Sequence, residues 1–442
     1  MECRSRAVPE RLGATASTAG AAAAALRALV PAPASVSDAV AEILAAVRDG
    51  GDAALLALEA RFGGGDAPLR VTLAELEAAL AGLPADVRVG LETARANIDA
   101  VARAGLTAGE PEVELPQGHR VRLREIAVRR AAVYAPGGRA PYPSSVLMGA
   151  VTARAAGVEQ LVVAAPPHPV ILAAAALCGA DAVYRMGGAQ AIAALAYGTE
   201  SVAPVDVVVG PGNLYVQEAK RQVSGVVGID GFAGPSDLLV IATAGADPRW
   251  VALDLLAQAE HGEDTVVAAI SDDMDLLDAV AAELAAGPAG VGSAEPAGGP
   301  TGVPAAEARG AAATAALVVV DSADTALAVA EAFAPEHLEL VGDAAEALAP
   351  RVRSAGCLLV GAASATAFAD YVAGSNHTLP TAGAARFASG LSVRHFRRRM
   401  AEVRVDAAAG ALARAGAPIA RAEGFLVHAE SMVARVGENA PR

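Results

Sequence analysis

Apolar positions along the chain change their period near residue 120. From 36 to 105 they recur every three or four residues, the helical period. A helix over Val36–Val47 follows Ser35, a side chain suited to an N-cap. A second, over Val71–Leu83, opens on Thr72 with Glu75 three residues on, a capping box. Val121–Ile126 and Val128–Tyr134 alternate or cluster β-branched residues and predict strands. Beyond them, short apolar runs alternate with helical stretches. Leu161–Ala165, Ala182–Met186 and Val205–Val209 predict strands, separated by helices over 169–177 and Ala189–Tyr197. Leu238–Ile241, Thr265–Ile270, Ala316–Val320 and Cys357–Val360 continue the theme. Strands that are apolar on both sides and spaced by helices predict parallel sheets covered on both faces, arranged here as two α/β units. Residues 1–30 read as a frayed arm entering an Ala-rich helix. Residues from about 391 read as mostly helical, with a basic start at Arg394, Arg397, Arg398 and Arg399. The stretch 284–315, rich in Gly, Pro and Ala, predicts a loop insertion.

Composition narrows the function more than the fold. A chain of 442 residues with 54% hydrophobic content can build two or three cores. Its net charge of −15 would be repelled by a phosphate backbone, so nucleic acid is not an expected partner, whereas a cationic small substrate is tolerated. Three scattered cysteines, Cys3, Cys178 and Cys357, form no disulfide framework, and a reducing, cytoplasmic setting is the expectation. The run Ala21–Ala25 is too short to span a membrane, and no signal peptide is evident.

Seven histidines are few for this length, and four of them stand beside carboxylates or amides. Gln258 and His261 are spaced i, i+3 on a helix begun near Trp250, so the pair can supply two ligands to one metal; an ordinary helix end capped by Gly262 fits as well. Glu336 and His337 are adjacent between a helix and an extended stretch. On a loop both could face one cavity, where an imidazole suits general base work and a carboxylate can activate water; a surface turn is the plain alternative. Asp370 closes a helix that Gly374 breaks, and Ser375-Asn376-His377-Thr378 makes a polar turn, with an Asx turn as the structural alternative. Glu423 and His428 lie on a C-terminal helix, where a lone His is more often structural. As a set, Gln258, His261, Asp370 and His428 are N/O donors suited to zinc, manganese or cobalt. Glycine turns follow strands at Tyr134-Ala-Pro-Gly-Gly138, Gly187-Gly-Ala-Gln190 and Gly210-Pro-Gly-Asn213. Such turns can approach a phosphate, but no GxGxxG stands in the dinucleotide position, so they do not by themselves imply NAD.

From Tyr134 to His428 the ordered segments VYAPGG, MGGAQAIAALAYGT, GPSD, AQAEH, APEHLE, DYVAGSNHTLPT and EGFLVHAES resemble the histidinol dehydrogenase family. The resemblance implies two similar incomplete Rossmann-like domains with mainly parallel sheets, plus small arms at both termini. On this chain that means an N-terminal arm over 1–30, a first domain from 31–133 with 246–390, a second over 134–245, and a C-terminal helical arm over 391–442. It implies a four-electron, NAD-linked oxidation of L-histidinol to L-histidine through L-histidinaldehyde. Gln258, His261, Asp370 and His428 match zinc ligands, with one ion per subunit. His337 matches the general base and Glu336 the residue that activates water. Ser236, His377 and Glu423 match substrate contacts, alongside the metal ligands and His337. Tyr134, Gln190 and Asn213 match NAD-contacting positions. The family forms an intertwined homodimer in which the C-terminal arm completes the partner's site. Three features depart from the family: Asp237 stands where Glu is usual, Ala135 where Val is favoured, and 284–315 is long and glycine-rich. A related enzyme for another small alcohol and a metal-dependent hydrolase remain as alternatives. His337, His377 and Glu423 favour the imidazole substrate, and the three nucleotide-turn residues favour a dehydrogenase.

Overall fold

A computed structural model of the chain describes residues 9–30, 35–64, 67–106, 109–137, 140–231, 234–287 and 314–436. The first elements are strand β1 (Glu10–Ala14) and helices α1 (Ala19–Ala28), α2 (Ser37–Arg61), α3 (Leu73–Ala81) and α4 (Ala85–Ala104). The capping box at Thr72 and Glu75 forms as its spacing predicts and opens α3. Strands β2 (Glu112–Glu114) and β3 (Arg120–Ala127) follow. Then β4 (Arg130–Tyr134), α5 (Pro143–Ala156), β5 (Gln160–Ala164), α6 (Pro169–Leu177), β6 (Ala182–Tyr184), α7 (Gly188–Tyr197), β7 (Val207–Val209), α8 (Leu214–Val223) and β8 (Gly228–Ile229) alternate. The next run is β9 (Asp237–Ala242), α9 (Pro248–Ala259), β10 (Val266–Ser271), α10 (Met274–Ala286), β11 (Thr314–Val320), α11 (Ala323–Phe333), β12 (His337–Val341), α12 (Asp343–Glu346), β13 (Cys357–Val360) and α13 (Thr366–Tyr371). The chain ends in β14 (Arg397–Arg404), α14 (Ala409–Ala422) and α15 (Leu426–Val433).

The α/β expectation holds. One parallel sheet has the order β1-β11-β10-β9-β12-β13 and a second the order β6-β5-β4-β7-β8. Both are covered on two sides, as continuous apolar strands require. In β9, Leu239 and Ile241 enter the core shared with α1 and α11, while Leu238, Val240 and Ala242 enter the core shared with α9 and α10. A small antiparallel sheet, β14-β3-β2, stands apart from both. Among the described residues no helix is long and apolar enough to cross a membrane.

Several boundaries differ from the expected ones. Residues 10–14 are an edge strand of the six-stranded sheet, pairing Glu10 with Ala316, and not a loose arm. The helices within 31–133 cover the five-stranded sheet, so they join the unit of 134–245 and not that of 246–390. Val40, Leu44, Val47 and Leu55 of α2 share a core with Ala132, Tyr134 and Val162. Strand β9 moves the later unit's start to Asp237. The segment after 391 is not mostly helical at first: Arg394 lies in a short 3-10 turn over Val393–Phe396, and the other three arginines lie on β14, where Arg397 is half-buried, Arg398 and Arg399 are exposed, and Arg399 pairs with Glu125. Helix α10 reaches Ala286, and the remainder of the predicted insertion, 288–313, lies outside the described residues.

Candidate active site

The N-terminal ends of β9 and β12 hold each other by a reciprocal clasp. The Glu336 backbone N–H donates to Asp237 Oδ1 at 2.6 Å, and the Asp237 N–H donates to Glu336 Oε2 at 3.1 Å. Ser236 Oγ donates to the same Glu336 oxygen, and Gln258 Nε2 donates to Ser236 Oγ at 2.5 Å. Gln258 lies in the last turn of α9 and is 1% exposed, so one chain of polar contacts runs from that helix into the clasp. Burial pushes the Asp237 carboxyl up to about 7, against the Glu336 N–H and the charge of Arg27. Burial, helped by Asp237, pushes Glu336 up to about 8. The aspartate at this point of departure from the family pattern therefore has a defined task. Its shorter carboxyl reaches the backbone of Glu336.

His337 opens β12, so Glu336 and His337 sit at a strand start and not on a free loop. Leu338 and Leu340 face the α11 side, so alternation turns His337 and Glu339 toward α9. His337 is 2% exposed, with Nδ1 at 3.9 Å from Glu336 Oε2 and Nε2 at 3.6 Å from Asp370 Oδ1. Neither ring nitrogen has a hydrogen-bond partner among the described residues. Burial, with His261 and His377 nearby, lowers the imidazole to about 3, so it is neutral at neutral pH and keeps a lone pair for a proton.

Beneath it, Glu339 is wholly buried, its oxygens meet no donor among the described residues, and the Asp254 carboxyl of α9 faces it. Burial and then Asp254 raise Glu339 from 4.5 to about 9. An acid whose folded value is raised contributes stability that is fully present below the unfolded value and is lost as pH rises through the folded one. The wild-type melting temperature should therefore fall more steeply between about pH 5 and pH 9 than that of Glu339→Gln. Parallel declines in a melting series would show that Glu339 carries no bound proton.

Asp370 ends α13, which packs on α9, and its carboxyl rises to about 6 through burial, offset by the charge of His261. His261 Nδ1 donates to the Gln258 carbonyl oxygen at 3.1 Å, the tautomer that presents Nε2 as an acceptor or ligand. His377 Nδ1 donates to the Asp370 carbonyl oxygen at 2.9 Å, so its Nε2 accepts from Ser145 Oγ at 3.2 Å. Cys357 pairs with His337 in the β-ladder, and burial together with Asp370 pushes its thiol up.

Tyr134, Gln190 and Asn213 gather at the opposite type of edge, the C-terminal ends of the five-stranded sheet. The Gly188 N–H donates to Tyr134 Oη at 3.1 Å, and Gln190 Nε2 donates to the buried Glu59 at 2.9 Å. Asn213 caps α8, accepting from Val216 N–H at 3.2 Å. The preceding turn needs glycine: at Gly210, φ is +122° and a Cβ would fall 2.0 Å from the Tyr134 carbonyl oxygen. A buried ion pair, Lys220 with Asp230, grips this turn. Lys220 Nζ donates to the Gly210 carbonyl oxygen at 3.0 Å, and Gly210 N–H donates to Asp230 Oδ2 at 2.7 Å.

The family model for histidinol dehydrogenase matches residues 30–436. The chain belongs to the histidinol dehydrogenase family. It is 43% identical over 403 residues to the histidinol dehydrogenase of Synechococcus sp., covering 89% of this chain and 90% of that protein. It is 42% identical over 414 residues to that of Gluconobacter oxydans, covering 92% and 94%. The crystal structure of histidinol dehydrogenase from Elizabethkingia anophelis aligns with a TM-score of 0.83 at 30% identity, covering 92% of this chain and 93% of that one.

This member of the histidinol dehydrogenase family brings ten of the twelve expected residues to these two edges and leaves two elsewhere. Glu423 and His428 are exposed on the α14–α15 arm, where His428 stacks at 5.2 Å on Phe425. Among the described residues neither hydrogen-bonds to a site side chain. A single chain thus offers an amide oxygen, an imidazole and a carboxylate to a metal, from Gln258, His261 and Asp370. Among the described residues no three His, Cys, Asp or Glu side chains converge as a metal cluster. The donor chemistry fits a divalent cation, one ligand short of a tetrahedral set. Sequence reasoning passed over Glu59, Ser145 and the Lys220–Asp230 pair. Only Lys220 left a signal: Val216, Lys220 and Val223 share one helical stripe, which puts a lysine on an apolar face.

Proposed function

We propose that this chain oxidises L-histidinol to L-histidine through L-histidinaldehyde, the last steps of histidine biosynthesis, using two NAD in turn. The observation that carries this reading is His337. It is a buried, neutral imidazole whose two nitrogens have no hydrogen-bond partner among the described residues, set between Glu336 and Asp370. His337 takes the hydroxyl proton in the first oxidation and a proton of the hydrated aldehyde in the second. Glu336, aimed by Asp237 and Ser236, takes the proton of the water that adds to the aldehyde when it is a carboxylate, the form that gains ground as pH rises toward about 8. Ser236, His377 and Glu423 contact the substrate. Gln258, His261 and Asp370, with His428 from a second copy, would hold zinc. The ion would supply positive charge that orients the substrate's imidazole and amine. NAD would bind along Tyr134, Gln190 and Asn213 and supply the hydride acceptor.

The second copy is part of the proposal. On the C-terminal arm Ile419, Phe425, Leu426 and Val427 are exposed, Val427 by 80%, an apolar face suited to burial against another subunit of a cytoplasmic homodimer. The test is NADH release from L-histidinol by zinc-loaded protein, before and after treatment with a chelator. Two NADH per histidinol, lost on chelation and restored by zinc, are expected. No turnover by the fully metallated protein overturns the reading.

A further inference from the structure

Asp370 and His377 lie on one unit, and the nucleotide turns lie on the other. The segment between Asp370 and Thr378 is gripped from the second unit at three points. Asn97 Nδ2 of α4 donates to the Val372 carbonyl oxygen at 2.7 Å. Ser145 Oγ of α5, 3% exposed, donates to His377 Nε2 at 3.2 Å. Asn376 Nδ2 donates to the Met148 carbonyl oxygen at 3.0 Å and to Thr152 Oγ1 at 3.2 Å, both on α5. Thr152, 2% exposed, donates to the same Met148 oxygen at 2.6 Å, closing a small buried network. The other end of the Asn376 amide is also engaged: Oδ1 accepts the Thr378 N–H at 3.0 Å, an Asx turn. Gly374 lets the segment come this close, with φ at +97° and a Cβ position only 2.8 Å from the Asn97 carbonyl oxygen.

Helix α5 is itself tied to the nucleotide edge. It begins a few residues after Tyr134 and packs on β4, where a Cβ at Gly149 would lie 2.7 Å from Val133. A continuous path of close contacts therefore runs from Tyr134 through β4 and α5 to Asn376, and on to His377 and Asp370. Apolar packing alone would let the two units slide by fractions of an ångström, whereas directional hydrogen bonds specify one register.

We propose that Asn376 is a positioning residue whose side-chain amide locks the Asp370–Thr378 wall to helix α5 and so sets the distance between the substrate and the nucleotide. The inference rests on the proposed function, because only a hydride transfer between the two units makes that distance matter. Misplacement of reacting groups by about an ångström costs on the order of a hundredfold in rate.

Asn376→Asp separates the two halves of the side chain. The carboxylate still accepts from Thr378 N–H, so the turn survives, but it cannot donate to Met148 or Thr152. Thr152→Val weakens the same lock from the α5 side, leaving the Asp370–Thr378 wall unaltered. In zinc-loaded protein, Asn376→Asp is expected to lower kcat about tenfold to a hundredfold while the KM values for L-histidinol and NAD change less than about threefold. Thr152→Val should act in the same direction, and the Asn376→Ala and Thr152→Val effects on kcat should combine less than additively. An unchanged kcat in both Asn376→Asp and Thr152→Val, measured well below their melting temperatures, overturns the proposal, as does strict additivity in the cycle. If the wild-type protein itself fails to turn over, the functional reading falls and the lock is read by hydrogen exchange. Amides of 370–378 should then exchange about tenfold faster in Asn376→Asp than in wild type. Equal exchange overturns the lock.

Discussion

Replacing His337 with asparagine is expected to lower kcat by about a thousandfold in alcohol oxidation and in aldehyde oxidation alike, within the range that a positioned general base contributes. The expectation follows from where the ring sits. Buried at the start of β12, it is held neutral, with burial lowering it to about 3. Among the described residues both nitrogens lack a hydrogen-bond partner, so a lone pair is open to the proton that the substrate would give up. Asparagine approximates the shape of the imidazole but has no basic nitrogen. Among the described residues the ring makes no hydrogen bond that its removal would break, so the fold and the melting temperature should stay close to wild type. Steady-state rates with L-histidinol and with L-histidinaldehyde supply the check, and a variant retaining more than about a tenth of either rate would refute the assignment. Glu336→Gln is the informative contrast. A glutamine oxygen can still accept from Ser236 and from the Asp237 N–H, so the clasp persists while the proton acceptor is lost. Aldehyde oxidation should then suffer more than alcohol oxidation. Equal losses would remove Glu336 from the role of activating water.

Mixing two inactive variants should restore activity. His428 is exposed on the C-terminal arm of its own chain and, among the described residues, hydrogen-bonds to no site side chain, yet the proposed ligand set of Gln258, His261 and Asp370 lacks a fourth member. If the fourth ligand comes from a second copy, His337→Asn and His428→Ala each kill both sites of their own homodimer. In the mixed dimer, one site receives both defects and the other receives neither. Co-refolding equal amounts should therefore recover about a quarter of the wild-type rate, from half the dimers with one working site each. His428→Ala alone should also lose zinc on dialysis more readily than wild type. No recovery in a mixture shown by mass to contain mixed dimers would place His428 outside the partner's site.

The site was legible in the sequence to different depths. Gln258 with His261, and Asp370 with His377, announced themselves through residue type and spacing, because scarce histidines beside amides and acids stand out in so apolar a chain. Asp237 was visible only as a departure from a family pattern. Its contact with the Glu336 backbone could not be read from spacing, since the two residues are 99 positions apart. Glu59, Ser145 and Asn97 had no local signature at all. Each acts through a partner on another element.

Local periodicity determined which segments become helices and strands and which are buried on both sides, and therefore the two parallel sheets. It also determined the chemical stock of the site. Tertiary structure alone decided which sheet each segment joined: β1 to β11, α2 to the five-stranded sheet, β14 to β3. It also decided that Glu336 and His337 sit at the N-terminal end of β12, while Tyr134 and Asn213 sit at C-terminal strand ends, the usual edge for a ligand in an open α/β sheet. The reason is that an apolar stripe encodes the need to be covered but not the identity of the cover. Pairings between distant segments follow from complementary faces, and polar locks such as Asn376 on Met148 exist only once those faces have met.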